Sequence, residues 1–392
     1  MSHPGRGIPA SGFSAVWEYG PMGHGNLIAW MRDLALPYWA EQGRDAGTGL
    51  FQERLLPDGT PDHAATRRVR VQARQIYVYA HASVLGWYPD GAGLALRAYD
   101  RLAEIAHAPD GRGGFIHSFG PDGRVESPLR DAYDHAFLVL AFAWLLRATG
   151  EPRVRAALEA VLGFVDAEMT AADGSLLEGV PASLPRRQNP QMHWYEAMLA
   201  LMELGFPGAA ERAARHRALF ETRLYDPGTR SLGEYFTDDW APAPGLAGAI
   251  LEPGHHAEWV WLLRRHEALA GLPRSPIAGA LLETALRWAD PATGLLVDEA
   301  LRDGGTHRGT RRTWLQTELA KAWLSEVELG GLGAAERAQA ALAALDRYYL
   351  RQPIEAGWVD QLDQEARALP GPIPASTLYH IFVAVSEAAR VL

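Results

Sequence analysis

The sequence predicts an all-α protein, an (α/α)6 barrel of six helical hairpins with short β-like loops at the active-site mouth. Three observations point there. A short element recurs along the chain: a small residue, an apolar pair, then polar or acidic residues. It reads "GLFQERLLPDG" from Gly49, "GGFIHSFGPDG" from Gly113, "DGSLLEG" from Asp173, "RSLGEYFTDD" from Arg230, "GLLVDEALRDGG" from Gly294 and "GWVDQLDQEA" from Gly357. The starts fall about 60 residues apart, the mark of an internal repeat. Second, helical segments flank every copy, so the pattern is helix, polar loop, helix, short Gly/Pro turn. Third, alternate helices are apolar on more than one face, as "WYEAMLALMEL" from Trp194 shows. Such helices suit an inner ring buried all round.

Apolar spacing at i, i+3, i+4 places the helices in order at 25–42, 64–87, 93–107, 131–149, 152–169, 189–204, 207–224, 254–271, 276–290, 311–329, 334–350 and 375–391. Gly86, Gly150, Gly205, Gly271 and Gly330 close helices, and Pro152, Pro207 and Pro276 open the next ones. The inner ring is expected from 64–87, 131–149, 189–204, 254–271, 311–329 and 375–391. An open solenoid is the alternative. Residues 25–392 form the single catalytic domain, and residues 1–24 a Gly- and Pro-rich extension, either a lid or disordered.

The chain of 392 residues is 48% hydrophobic and 21% charged, which is a globular profile. A net charge of −10 argues against a nucleic-acid partner, which would need a basic stripe. No apolar run is long enough to span a membrane. The N-terminus lacks a signal-peptide layout, so a cytoplasmic protein is expected. The absence of cysteine removes disulfides, thiolate nucleophiles and cysteine-bound metal. Lys321 is the only lysine and lies inside a helix, which argues against Schiff-base chemistry.

Polar residues gather at the starts of the inner helices. They include Arg74; Tyr133, Asp134 and His135; Asn189, His193 and Glu196; His255 and Glu258; Trp314, Gln316 and Glu318; and His380. In a closed barrel these starts share one mouth, with free N–H groups and partial positive charge. His255 with Glu258, and His193 with Glu196, stand at i, i+3, and Asn189 with His193 at i, i+4. A carboxylate beside a histidine orients the ring and raises its pKa, which suits proton transfer near neutral pH. Blander readings stand beside these. His135 and His256 are packing or capping residues, Glu318 pairs with Arg74 or Lys321, and Trp259 and Trp261 belong to the core. The histidines lie on separate helices without HExxH spacing, so no metal and no cofactor is expected. No strand-to-helix glycine loop or GxSxG elbow is present.

Through "QNPQMHWYEA", "PGHHAEWVWLL", "WLQTELAKAW" and "PASTLYHIF", in this order, the chain resembles the N-acylglucosamine 2-epimerase superfamily over nearly its whole length. The last two of its histidine motifs are most similar to the mannose isomerase branch. The resemblance implies an (α/α)6 barrel. It also implies catalytic histidines at His255 and His380, a third pocket histidine at His193, an arginine near the sugar oxygens at Arg74 and a glutamate at Glu258. Tyr133, Asn189, Trp314 and Gln316 are implied as further substrate contacts.

The expected reaction is a metal-free 1,2-proton transfer on a free aldose, D-mannose or a relative such as D-lyxose, giving the ketose through a cis-enediol. His380 would take the C2 proton, and His255, tuned by Glu258, would open the ring and carry the second proton. Return of the proton to C2 from the opposite face would make the same residues a 2-epimerase. A hydrolase using Glu196, Glu258 and Glu318 is the remote alternative. The expected partner is a small monosaccharide, with neither nucleic acid nor membrane, in a monomer or homodimer.

Overall fold

The computed structural model describes residues 24–392; the 1–24 extension lies outside them but for its last residue. In chain order the helices are α1 (His24–Trp30), continued by a π-helical turn into α2 (Leu36–Glu41), then α3 (Val69–Val84), α4 (Gly91–Ala106), α5 (Ala132–Thr149), α6 (Pro152–Phe164), α7 (Gln188–Glu203), α8 (Ala209–Leu219), α9 (Pro253–Ala270), α10 (Pro276–Ala285), α11 (Thr313–Glu328), α12 (Ala334–Tyr348) and α13 (Ala375–Val391). The expected inner helices pack in sequence, α3 on α5, α5 on α7, α7 on α9, α9 on α11 and α11 on α13. Helix α13 then packs on α3, so the ring is closed and the open solenoid is excluded. Each of α4, α6, α8, α10 and α12 covers the inner helix before it, and α1 covers α13.

Two expected inner helices are shorter at their starts. The stretches 64–68 and 311–312 are not helical, because Arg67–Arg68 and Arg311–Arg312 pair as strands. Such a strand precedes every inner helix and pairs antiparallel with the loop of the next repeat. The pairs are Arg67–Arg68 with Ser118–Phe119, Arg130–Asp131 with Gly179–Val180, and Arg186–Arg187 with Tyr235–Phe236. Ile250–Leu251 follows with Glu299–Leu301, and Arg311–Arg312 with Gln361–Leu362. Ile373–Pro374 pairs back with Arg54–Leu55 of the first repeat and closes the circle. These strands tie all the loops to one end of the barrel.

The fourth residue of an inner helix locks the loop above it. Gln72, Gln191 and Gln316 each accept from and donate to one loop residue's backbone, at Phe51, Leu176 and Leu296. His135 and His256 do half of this, accepting at Nε2 from the backbone N–H of Phe115 and Leu232. Their Nδ1 atoms bond the carbonyls of Asp131 and Glu252. Buried loop backbone must find partners, and these side chains supply them. No helix among the described residues is long and apolar enough to cross a membrane.

Candidate active site

Helical geometry lines up the second, sixth and ninth residues of each inner helix on the face toward the barrel axis. The second residues are Arg70, Tyr133, Asn189, Gly254, Trp314 and Ser376. The sixth are Arg74, Phe137, His193, Glu258, Glu318 and His380. That sixth row forms a continuous ring. The Arg74 guanidinium lies 4.2 Å from the Phe137 ring centre, and Phe137 lies 4.5 Å from the His193 ring. His193 Nδ1 stands 3.9 Å from Glu258 Oε1. Glu258, Glu318 and His380 place one polar atom each within 4.8 Å of one another. His255, a third residue, enters the cup from beside α9. Trp314 lies between the two distant histidines, its ring 4.8 Å from that of His255 and 5.8 Å from that of His380. Gly254 makes room for this: a Cβ there would lie 2.9 Å from Trp314 Cζ3 and 2.6 Å from Leu315 Cγ.

The structure thus brings His255, His380, His193, Glu258, Arg74, Tyr133, Asn189 and Trp314 to one cup. Arg74 donates to the Tyr133 hydroxyl at 2.7 Å, and the Asn189 amide lies 3.3 Å from His255 Nε2. Gln316 does not join them. Its carboxamide is buried and engaged by the Leu296 backbone, so the expected substrate contact is a loop anchor.

The expected pairing of His255 with Glu258 is also corrected. His255 Nδ1 lies 2.9 Å from Glu234 Oε2 and 3.7 Å from Glu252. Glu258 turns instead to the axis, and neither of its oxygens has a hydrogen-bond partner among the described residues. Glu234 is held above α7 because its carbonyl accepts from Gln188 N and its carboxylate from Gln188 Nε2. Its signal was present in the repeat itself. Glu53, Glu178, Glu234, Asp298 and Asp360 occupy equivalent loop positions, and strand pairing seats each one above the preceding inner helix of the ring.

His193 Nδ1 bonds Glu196 Oε2 at 2.9 Å, as its spacing predicts. The other Glu196 oxygen accepts from Tyr379. His380 Nδ1 bonds Glu318 Oε1 at 2.9 Å, and Lys321 Nζ lies 2.5 Å from Glu318 Oε2.

These surroundings drive the histidines apart. Burial opposes a charged His255, yet Glu234 and then Glu252 outweigh it and raise its pKa to about 10. Burial, then the charges of Arg74 and Lys321, push His380 well below its usual value. Burial likewise lowers His193 to about 4, against the pull of Glu196. Burial and the neighbouring Glu318 push Glu258 well above the carboxylate range. At neutral pH the cup therefore holds one cationic histidine, His255, and two neutral ones, His380 and His193, the condition for an acid and a base side by side. Arg74 Nε, Asn189 Oδ1 and both Glu258 oxygens are buried without partners among the described residues, a donor and acceptors for a hydroxyl-rich ligand. Three sets of donors in the cup, His193–Glu196–Glu258, Glu234–Glu252–His255 and Glu258–Glu318–His380, are close enough to share a cation. The Lys321 ammonium already stands on Glu318 there and competes with one.

A profile of the N-acylglucosamine 2-epimerase (GlcNAc 2-epimerase) family matches residues 49–384. The mannose-6-phosphate isomerase of Rhizobium meliloti (strain 1021) is 34% identical over 374 residues, covering 93% of this chain and 96% of that protein. The D-mannose isomerase of Thermobifida fusca is 30% identical over 222 residues, 53% of each chain. A crystal structure of D-mannose isomerase superposes with a TM-score of 0.84 at 20% identity, covering 94% of this chain and 98% of the other, a likeness of fold. With its closed helical ring and histidine-lined cup, this chain belongs to the N-acylglucosamine 2-epimerase family and is a sugar isomerase or epimerase.

Proposed function

We propose that the protein interconverts a free aldose and its ketose, D-mannose and D-fructose or a closely related pair, by proton transfer between C2 and C1. The observation that carries this reading is the opposite charge bias of His255 and His380 on either side of Trp314. Cationic His255 donates to O5 as the C1–O5 bond breaks and then takes up the O1 proton, so that the open aldehyde forms and His255 is cationic again. Neutral His380, with Nδ1–H on Glu318, offers Nε2 to the C2 proton. The C–H electron pair forms the C1=C2 bond, and charge gathers on O1, where Arg74 meets it and His255 supplies a proton. Collapse reverses these roles: the C2 hydroxyl returns a proton to His255, and His380 delivers its proton to C1. Asn189, whose amide Nδ2 lies 3.3 Å from His255 Nε2, borders the nitrogen that meets the sugar.

An unphosphorylated sugar fits the charges at the mouth. Arg68, Arg187 and Arg312 are held by Glu53, Glu178 and Asp298, and Arg70 lies 3.6 Å from Asp134. A phosphate would have to displace a carboxylate from one of them. The test is a panel of mannose, mannose 6-phosphate, lyxose, N-acetylmannosamine and cellobiose in heavy water. Fructose as the first product of mannose, with deuterium exchange, supports the reading. Glucose as the first product makes the enzyme a 2-epimerase, and a rate confined to the phosphorylated sugar overturns the substrate assignment.

A further inference from the structure

The ninth residues of the inner helices form the floor beneath the sixth-residue ring: Tyr77, Leu140, Glu196, Trp261, Lys321 and Val383. Only two carry charge. Glu196 stands under His193 and bonds it, whereas Lys321 stands one turn below Glu318. Lys321 is wholly buried and is the only lysine in the chain. Burying an ammonium costs several kcal/mol unless a partner compensates. An apolar residue serves the same floor position in α5 and α13, so packing alone does not call for a lysine. Its neighbours are specific. Nζ lies 2.5 Å from Glu318 Oε2, and the Trp261 ring centre lies 4.1 Å away on another side. Trp261 is fixed in turn by its indole N–H, which donates to Glu387 at 3.0 Å.

We propose that Lys321 is a positioning residue for the proton transfer, fixing Glu318 as a carboxylate so that Glu318 holds His380 as its Nδ1–H tautomer with Nε2 free to take the substrate proton. The ring supplies the reason. Glu258 and Glu318 are adjacent and fully buried, and two carboxylates so placed share one proton. Lys321 decides which one keeps its charge: the ammonium on Glu318 leaves the proton to Glu258. Without it the proton would move between them, and a protonated Glu318 could donate to His380 Nδ1, turning the imidazole's N–H toward the substrate. The groups facing His380 are Arg74 from α3, His193 and Glu196 from α7, Glu258 from α9 and Glu318 with Lys321 from α11. Lys321 is among the positive charges that keep His380 neutral, and it is itself kept charged, against burial, by Glu318, Glu258 and Glu196.

This rests on the reading of His380 as the base, so the test has one arm with turnover and one without. In the first, Lys321→Met and Lys321→Arg are compared with the unaltered enzyme on its best aldose. Lys321→Met is expected to lower kcat about a hundredfold with KM within about threefold. Its acid limb should move to higher pH, because a positive charge near His380 is gone. Lys321→Arg should recover at least about a tenth of the rate. In the second arm, nitrogen-15 histidine spectra, with His380 assigned by its loss in His380→Gln, report the tautomer. It should be Nδ1–H in the unaltered protein and mixed in Lys321→Met. A normal rate and pH profile in Lys321→Met, or a lost rate with an unchanged tautomer, overturns the proposal. Should Lys321→Met fail to fold, the ε-carbon signal of the lone lysine decides instead. It should stay charged beyond the ordinary lysine range and shift in Glu318→Gln; indifference to Glu318→Gln overturns the proposal. If the unaltered enzyme exchanges the C2 proton of no aldose, the proposed function falls while both spectroscopic readouts remain valid.

Discussion

Glu234 Oε2 lies 2.9 Å from His255 Nδ1, joining a loop residue to helix α9, 21 residues later. The pair fixes both the tilt of the imidazole and its charge. Glu234→Gln removes the largest of the three carboxylate effects and leaves Glu252 and Glu258 to hold the proton. The pKa of His255 should fall from about 10 toward 6.5. The acid is active while protonated, so activity that persists into alkaline solution should be lost at lower pH in the variant. A pH–rate profile checks this, and an unmoved basic limb would detach Glu234 from His255.

His380→Gln and His255→Gln should separate the two proton steps. His380→Gln should abolish deuterium exchange at C2, since no other neutral imidazole has its Nδ1 on Glu318. His255→Gln should lower turnover of the closed ring by at least about a hundredfold. Proton spectra of mannose in heavy water measure both rates. Exchange at the normal rate in His380→Gln would remove that residue from the base role.

Glu258 has both oxygens buried without partners among the described residues and a pKa driven up by burial and by Glu318. Glu258→Gln keeps the side chain neutral while removing the carboxyl O–H. KM should stay within about threefold while kcat falls about ten- to a hundredfold. A carboxylate-based hydrolase predicts the reverse order of sensitivity, with Glu258 variants dead and His380 variants active. Assaying both on free and glycosidically linked mannose discriminates.

Gln316→Ala should act on stability rather than on the substrate. It leaves the Leu296 N–H and C=O buried without their side-chain partner, a loss of about 2–4 kcal/mol. Urea unfolding should register this, while KM of the folded variant stays within about twofold. A large rise in KM at normal stability would return Gln316 to the substrate site.

The sixfold architecture was legible because its signals are local. A turn element repeated six times, apolar spacing and Gly/Pro punctuation placed the inner helices close to their observed bounds, such as 254–271 against Pro253–Ala270. The same periodicity put Arg74, His193, Glu258 and His380 near one mouth, since residues at equivalent turns of equivalent helices face one axis. Helical spacing also paired His193 correctly with Glu196, for both lie on one helix face. It failed for His255 and Glu258, although the spacing is identical. The third residue of α9 leans toward the loop bearing Glu234, while the sixth faces the axis.

By itself, then, the sequence determined the helices, their number and which of their starts carry polar chemistry, because short-range periodicity encodes these. The tertiary structure decided the partnerships: Glu234 with His255, Glu318 and Lys321 with His380, and Gln316 with a loop backbone. Those depend on ring closure and on strand pairing between successive repeats. Both bring together side chains from different helices, and spacing along one helix carries no information about its neighbour.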